Sequence, residues 1–242
     1  MSRMLLLAVA LVLVGCSAMF GDAGSGQTAP VLRLARAARA NGQITTAIAL
    51  YREAAAVPGA DDAVLVELAS AMIDAGAPED ALDVLTQVPA RSASRAASLL
   101  AEAHANVLLR RPDAALQAAE QAQGLAPDDS RAELARGVAL DMLERHQEAQ
   151  AAYHRVLERS PRSVAARNDL ALSLALSGQF TEAVAIIGPM ARSLTATPRI
   201  RQNLALIYGL MGDRHDAEAI SRADLDATAT AANLRLFDLV RR

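Results

Sequence analysis

The chain offers few side chains that could do chemistry. Cys16 is the only cysteine and follows Leu13-Val14-Gly15, and the four histidines are His104, His146, His154 and His215. A lone cysteine closes no internal disulfide and supplies no multi-cysteine zinc site. A small buried hydrophobe is the usual role of such a thiol, but this one stands at the end of an N-terminal apolar run. No two histidines have the i, i+4 spacing of a helical metal site, so each reads as a solvated or groove-lining side chain. Asp61-Asp62 and Asp128-Asp129 are adjacent acids. Each pair lies between two helical patterns, where capping and helix-dipole complementation explain it better than acid–base work. Gly24-Ser25-Gly26 lacks both the preceding strand and the third glycine of a nucleotide loop. The expectation is a non-enzyme with no metal, no cofactor and no small-molecule substrate.

The elements that carry these residues are helical. Of 242 residues, 52% are hydrophobic and only 2% aromatic, with no tryptophan. Much of the apolar share is alanine, the best helix former because it loses no side-chain freedom. Pleated sheets need β-branched and aromatic residues that are scarce here. The net charge is -3, the charges are interspersed and all 24 basic residues are arginine. No basic run marks a phosphate-binding surface, so nucleic acid is not an expected partner.

Met-Ser-Arg, the apolar run Met4 to Val14 and Gly15 have the pattern of a secretory signal peptide over residues 1–15. The run is about half the roughly 20 residues that span a bilayer. Leu13-Val14-Gly15-Cys16 resembles the bacterial lipobox. Membership implies cleavage before Cys16, diacylglycerol on its thiol, and membrane attachment through acyl chains, which anchor stably when several are present. Val14 is bulkier than the family's usual Ala or Ser. Ser17, where inner-membrane lipoproteins have Asp, implies an outer-membrane lipoprotein facing the periplasm. Residues 16–29 read as the lipidated cysteine and a flexible tether, with a span of roughly 20 Å.

Behind the tether one period governs the chain. Ala47, Ala81, Ala115, Ala149, Ala183 and Ala217 are 34 residues apart. In phase with them run Ala35, Ala69, Ala103, Gly137, Ala171 and Ala205, and also Gly42, Gly76, Arg110, Glu144, Gly178 and Gly212. This pattern resembles the tetratricopeptide repeat (TPR). Leu34, Leu68, Leu170 and Leu204 match its seventh position, Tyr51 and Tyr153 its twenty-fourth, and Pro127 and Pro161 its thirty-second. The resemblance implies an all-α solenoid. Residues 30–231 would hold about six 34-residue helix–turn–helix repeats, and residues 232–242 a C-terminal capping helix. Small residues allow close helix packing, and stacked neighbours complete a core that no repeat builds alone. The third series should end each first helix, and Pro78 and Pro112 should open second helices. Glu102 and Arg136 replace the seventh-position leucine, so looser packing is expected there. A kink or early helix end is expected at Gly188-Pro189.

In such a solenoid the first helices line a concave groove. The expected groove residues are Val66, Ile73, Leu100, His104, Val107, Leu134, Val138, Asn168, Leu172 and Leu206. The chain lacks the lysines with which TPR proteins clamp an acidic tail, so an apolar helix or strand is the expected occupant. Arg201-Gln202-Asn203-Leu204-Ala205-Leu206, Gly212-Asp213 and Ala219-Ile220-Ser221-Arg222-Ala223-Asp224-Leu225 resemble the last repeat of TadD, the TPR lipoprotein of tight-adherence (Flp) pili. That resemblance implies pilus assembly, with an outer-membrane secretin or pilus components as partners. The alternative is a scaffold lipoprotein for other envelope, type IV pilus or peptidoglycan machinery.

Overall fold

The computed structural model describes residues 23–240, which form thirteen helices and no strand. The first six are α1 (Ala23–Ala40), α2 (Ile44–Ala55), α3 (Ala63–Asp74), α4 (Pro78–Leu85), α5 (Arg95–Leu108) and α6 (Pro112–Leu125). They continue as α7 (Ser130–Met142), α8 (His146–Arg159), α9 (Val164–Leu176), α10 (Phe180–Ala191), α11 (Pro198–Met211), α12 (Arg214–Ser221) and α13 (Ala227–Val240). Odd and even helices pair as six hairpins. From α5 onward each odd helix also packs on the odd helix of the hairpin before it, and α13 closes the stack against α11 and α12.

One turn is repeated six times. Gly42, Gly76, Gly178 and Gly212 have φ between +74° and +88°, and Arg110 and Glu144 adopt φ of +55° and +60°. At every turn the next residue donates its N–H five residues back, from Gln43 to Ala38 through to Asp213 to Tyr208, at 2.8–2.9 Å. This backbone bond satisfies a helix-end carbonyl and needs a left-handed residue beside it. Glycine takes that conformation freely, whereas Arg110 and Glu144 take it against the clash of their own Cβ. Pro78 and Pro112 open α4 and α6 as their spacing predicts. Asp129 caps α7, accepting the Arg131 N–H at 2.9 Å, and Asp61, one residue before the N-cap of α3, accepts the Ala63 N–H at 2.8 Å.

The two small-residue series sit where the hairpins close. Ala47, Ala81, Ala115, Ala149, Ala183 and Ala217 are fully buried, as are Ala35, Ala69, Ala103, Ala171 and Ala205. A Cβ on Gly137 would lie within 3.0 Å of the Tyr153 ring, so glycine there makes room for the aromatic side chain. Seventh-position leucines face the preceding repeat. Leu68, Leu170 and Leu204 are buried, but Leu34 is 58% exposed, because no described repeat precedes it.

Where that leucine is replaced the helix carries polar pairs: those of Glu102 stay within α5, whereas Arg136 with Glu120 and Glu133 with Gln123 cross between the third and fourth repeats. Glu102 accepts from Arg95 at 2.7 Å and from Ser98 at 3.1 Å. Arg136 lies 3.5 Å from buried Glu133 and 3.7 Å from Glu120. Glu133 also accepts from Arg155 at 2.8 Å and from Gln123. The apolar core divides accordingly into one cluster around Tyr51, Leu68 and Leu85, a small alanine-rich one around Leu99, and a large one from Leu140 to Phe237.

Two expected boundaries differ. Residues 16–29 were read as tether, yet α1 already begins at Ala23 and carries Pro30 within it; residues 16–22 lie outside the described residues. The last helix begins at Ala227, not at 232. The connection from α12 to α13, residues 222–226, is shorter than that from the equally short α4 to α5, residues 86–94. Helix α10 passes through Pro189 and ends at Ala191, two residues short of the phase at which α6 and α8 end. Helix α2, which has no proline, ends at the same phase as α10, so this end is not peculiar to Pro189.

Candidate functional site

The odd helices form the concave face, and their sequence makes it different in its two halves. At one register along these helices stand Arg36, Ser70 and His104, then Val138, Leu172 and Leu206. The first three helices therefore present polar groups, the next three an apolar row. In the first half the charges are spent on each other: Arg36 donates to Glu67 at 2.8 Å and Arg39 to Asp74 at 2.7 Å. The hydrogen bond from Arg36 holds the Glu67 carboxyl below its usual range, against the opposing effect of burial.

In the second half, α7, α9 and α11 enclose a hollow of about 280 Å³. Its walls are Val138, Met142, Leu172 and Leu176, with Asp141, Asp169, Tyr153 and Arg199 among them. A second hollow of about 630 Å³ adjoins it, shares Asp169 and Arg199, and is lined further by Val164, Asn168 and Ile200. Asp141 accepts from the Tyr153 hydroxyl at 2.9 Å and from Ser173 at 2.6 Å, with His146 Nδ1 2.8 Å away. Burial, and then the Asp141 charge, push the Tyr153 hydroxyl far above its usual range. Ser173 is fully buried and donates to the acid and to the His146 backbone carbonyl, not to the imidazole, so this is a structural knot and not a nucleophile with its base. Asp169 accepts from Asn168 at 2.9 Å, while burial pushes its carboxyl up; the Asn168 bond and Arg199 pull it back down.

The expected groove residues fall into three groups. Val138 and Leu172 open on the first hollow, and Asn168 lines the second. Leu134, Leu172 and Leu206 are half-buried and pack on the large core, Val66 and Leu100 on the two others, and Val107 is half-buried. Ile73 is 6% exposed and belongs to the core. Asn168 is 4% exposed and joins neighbouring repeats, accepting from Asn203 at 2.7 Å. His104 is exposed. Met142, Asp169, Leu176 and Arg199 were missed; they stand one residue off the expected groove register or in the neighbouring repeat.

Tetratricopeptide-repeat models match residues 26–103 and 143–187, together just over half of the chain. The chain belongs to the tetratricopeptide-repeat family. TPR arrays are protein-binding scaffolds, and no enzymatic family matches. Among solved structures, a TPR protein of Parabacteroides merdae superposes with a TM-score of 0.72 at 16% identity, covering 87% of this chain and 84% of that one. PilF of Pseudomonas aeruginosa superposes with a TM-score of 0.62 at 17% identity, covering 81% and 90%. A thermophilic TPR protein of Thermus thermophilus gives 0.51 at 20% identity, covering 88% and 99%. At these identities the likeness is one of fold. No curated protein sequence matches the chain. Among the described residues no helix is long and apolar enough to cross a membrane, and no group of His, Cys, Asp and Glu could hold a metal.

Proposed function

We propose that this TPR protein is a lipoprotein of the outer membrane, anchored at Cys16 and facing the periplasm, that supports assembly of a tight-adherence pilus. In this reading it holds a segment of the outer-membrane secretin against the concave face of α7, α9 and α11, as a pilotin does. The lipobox-like Leu13-Val14-Gly15-Cys16 and the following Ser17 support the anchor. The TadD-like stretch within residues 201–225 supports the pilus role. The observation that carries the binding role is the hollow walled by Val138, Met142, Leu172 and Leu176, on a face whose other half is closed by ion pairs.

The test is capture of the purified secretin by the full chain, comparing wild type with a Val138→Asp, Leu172→Asp double variant. A variant with unchanged helical circular dichroism is expected to lose capture by at least tenfold. Full capture by the folded variant removes the hollow from the mechanism. No capture by wild type refutes the secretin. The anchor is tested apart: Cys16→Ala is expected to abolish acyl labelling and membrane retention, and unchanged labelling refutes lipidation.

A further inference from the structure

The apolar row does not stop at the last repeat. Thr230, Leu234 and Phe237 of α13 are buried, as Ile200, Leu204 and Ile207 of α11 are. The register of α13 is thus that of a seventh first helix, displaced 30 residues from α11 instead of 34. In that register Leu236 follows Val138, Leu172 and Leu206, and Val240 follows Met142, Leu176 and Leu210. Leu236, Leu239 and Val240 are 53%, 67% and 58% exposed. Terminal repeats of a solenoid ordinarily turn a polar face outward. Here polar residues stand on the side where a second helix would pack: Arg235 holds the place of the small residue Ala205, and Asp238 that of Tyr208. Leu236 and Val240 continue the concave row, and Leu239 holds the place of Gly209, which packs on Phe237 of the following helix.

Charge selects the occupant. Asp141 and Asp169 both line the first hollow, and only Arg199 opposes them there. Among the described residues no carboxylate lies within ion-pair distance of Arg199, so it neutralises neither acid by contact. The donors to Asp141 bring no guanidinium, and Asp169 accepts only the neutral Asn168 amide. An apolar wall with surplus negative charge fits the stem and head of a lysine or arginine. Four first helices spaced about 8–10 Å apart give a track of roughly 25–30 Å, the length of a helix of about 16–20 residues.

We infer that the docking face runs from α7 to the cap helix α13, and that its occupant is an amphipathic helix of a protein partner whose apolar stripe carries one basic residue seated at Asp141 and Asp169. This rests on the concave face being the binding face, as proposed above; it does not depend on which protein supplies the helix.

The probes are labelled synthetic 18-residue amphipathic helices with a leucine stripe. One lysine is placed in turn at each position along the edge of the stripe, with matched glutamine and glutamate versions. Binding to the purified full chain is read by fluorescence anisotropy. At one lysine position the lysine peptide is expected to bind at least tenfold tighter than its glutamate version. Asp169→Asn should remove most of that preference while leaving the glutamine peptide unchanged. Leu236→Asp with Leu239→Asp should weaken all three at least tenfold, and the native exposure of both residues keeps the fold intact, as a thermal melt checks. Equal binding of lysine and glutamate peptides at every position, no binding at all, or an inert double variant each overturns the inference. Secretin capture is not read here, so either proposal can fail while the other stands.

Discussion

Replacing Gly137 by alanine sets two opposing effects against each other. Alanine in a helix interior is favoured over glycine by about 1 kcal/mol. The new methyl, however, meets the Tyr153 ring, two of whose carbons lie at 2.8 and 3.0 Å from the added Cβ. Tyr153 is 1% exposed, and its hydroxyl is tied at 2.9 Å to Asp141, which Ser173 and His146 hold in turn. Overpacking of this kind costs about 1–3 kcal/mol. The one free direction for the ring is the adjoining hollow, and taking it breaks a hydrogen bond worth about 1 kcal/mol. The net expectation is a loss of about 1–2 kcal/mol, or roughly 2–8 °C in melting temperature for a chain of this size. Gly124→Ala is the control. Gly124 lies in α6 with nothing within 4 Å of an added Cβ, so that change should be neutral or stabilising by up to about 1 kcal/mol. Urea and thermal unfolding followed by circular dichroism measure both. A Gly137→Ala protein that melts at or above wild type refutes the packing of Tyr153 on α7.

Three further outcomes are expected. Arg110→Gly and Glu144→Gly relieve left-handed strain at φ of +55° and +60°, and each should raise stability by about 0.5–1 kcal/mol in urea melts. Arg155→Ala leaves buried Glu133 with Gln123 and Arg136 alone; the loss should be about 1–2 kcal/mol, below that of a fully buried pair because Arg155 is 44% exposed. Glu67 has its folded-state pKa lowered by Arg36, so its stabilisation is present above the ordinary value of 4.5 and is lost as pH falls through the lowered one. Glu67→Gln should therefore flatten the acid limb of stability against pH, and an unchanged limb would show that the Arg36 pair contributes nothing.

The repeat architecture was legible because close packing and the left-handed turn each demand a residue type at a fixed place. Alanine at every hairpin contact, and glycine at four of six turns, printed a 34-residue period on the chain. Arg110 and Glu144 were found only through that phase. Depth was not legible. Val66 and Ile73 stand on the same helix face by periodicity, but helix packing leaves one half-open and closes the other. Asn168 showed as a groove residue, while its bond to Asn203 depends on how α9 meets α11. Asp169 and Arg199 share a hollow only after 30 residues of intervening chain have folded back. The cap register escaped the sequence because the short connection from α12 to α13 shifts the phase by four residues. The Cys16 anchor lies outside the described residues.

The polar interface between the third and fourth repeats changes how the molecule comes apart. In a linear array, cooperativity passes only between nearest neighbours, and its strength is set by each interface in turn. Leucine at Leu68, Leu170 and Leu204 couples repeats through buried apolar area that no solvent condition below denaturation removes. Between the third and fourth repeats Arg136 reaches Glu120 and Gln123 donates to Glu133, a polar coupling that acid and salt weaken. Unfolding therefore has a natural break point. The large C-terminal core can stay closed while the first three repeats open, so melts watched at Tyr51 and at Tyr208 should separate as ionic strength rises. A single midpoint would then describe neither half, and amide exchange would divide the array into a fast-opening N-terminal block and a slow C-terminal one.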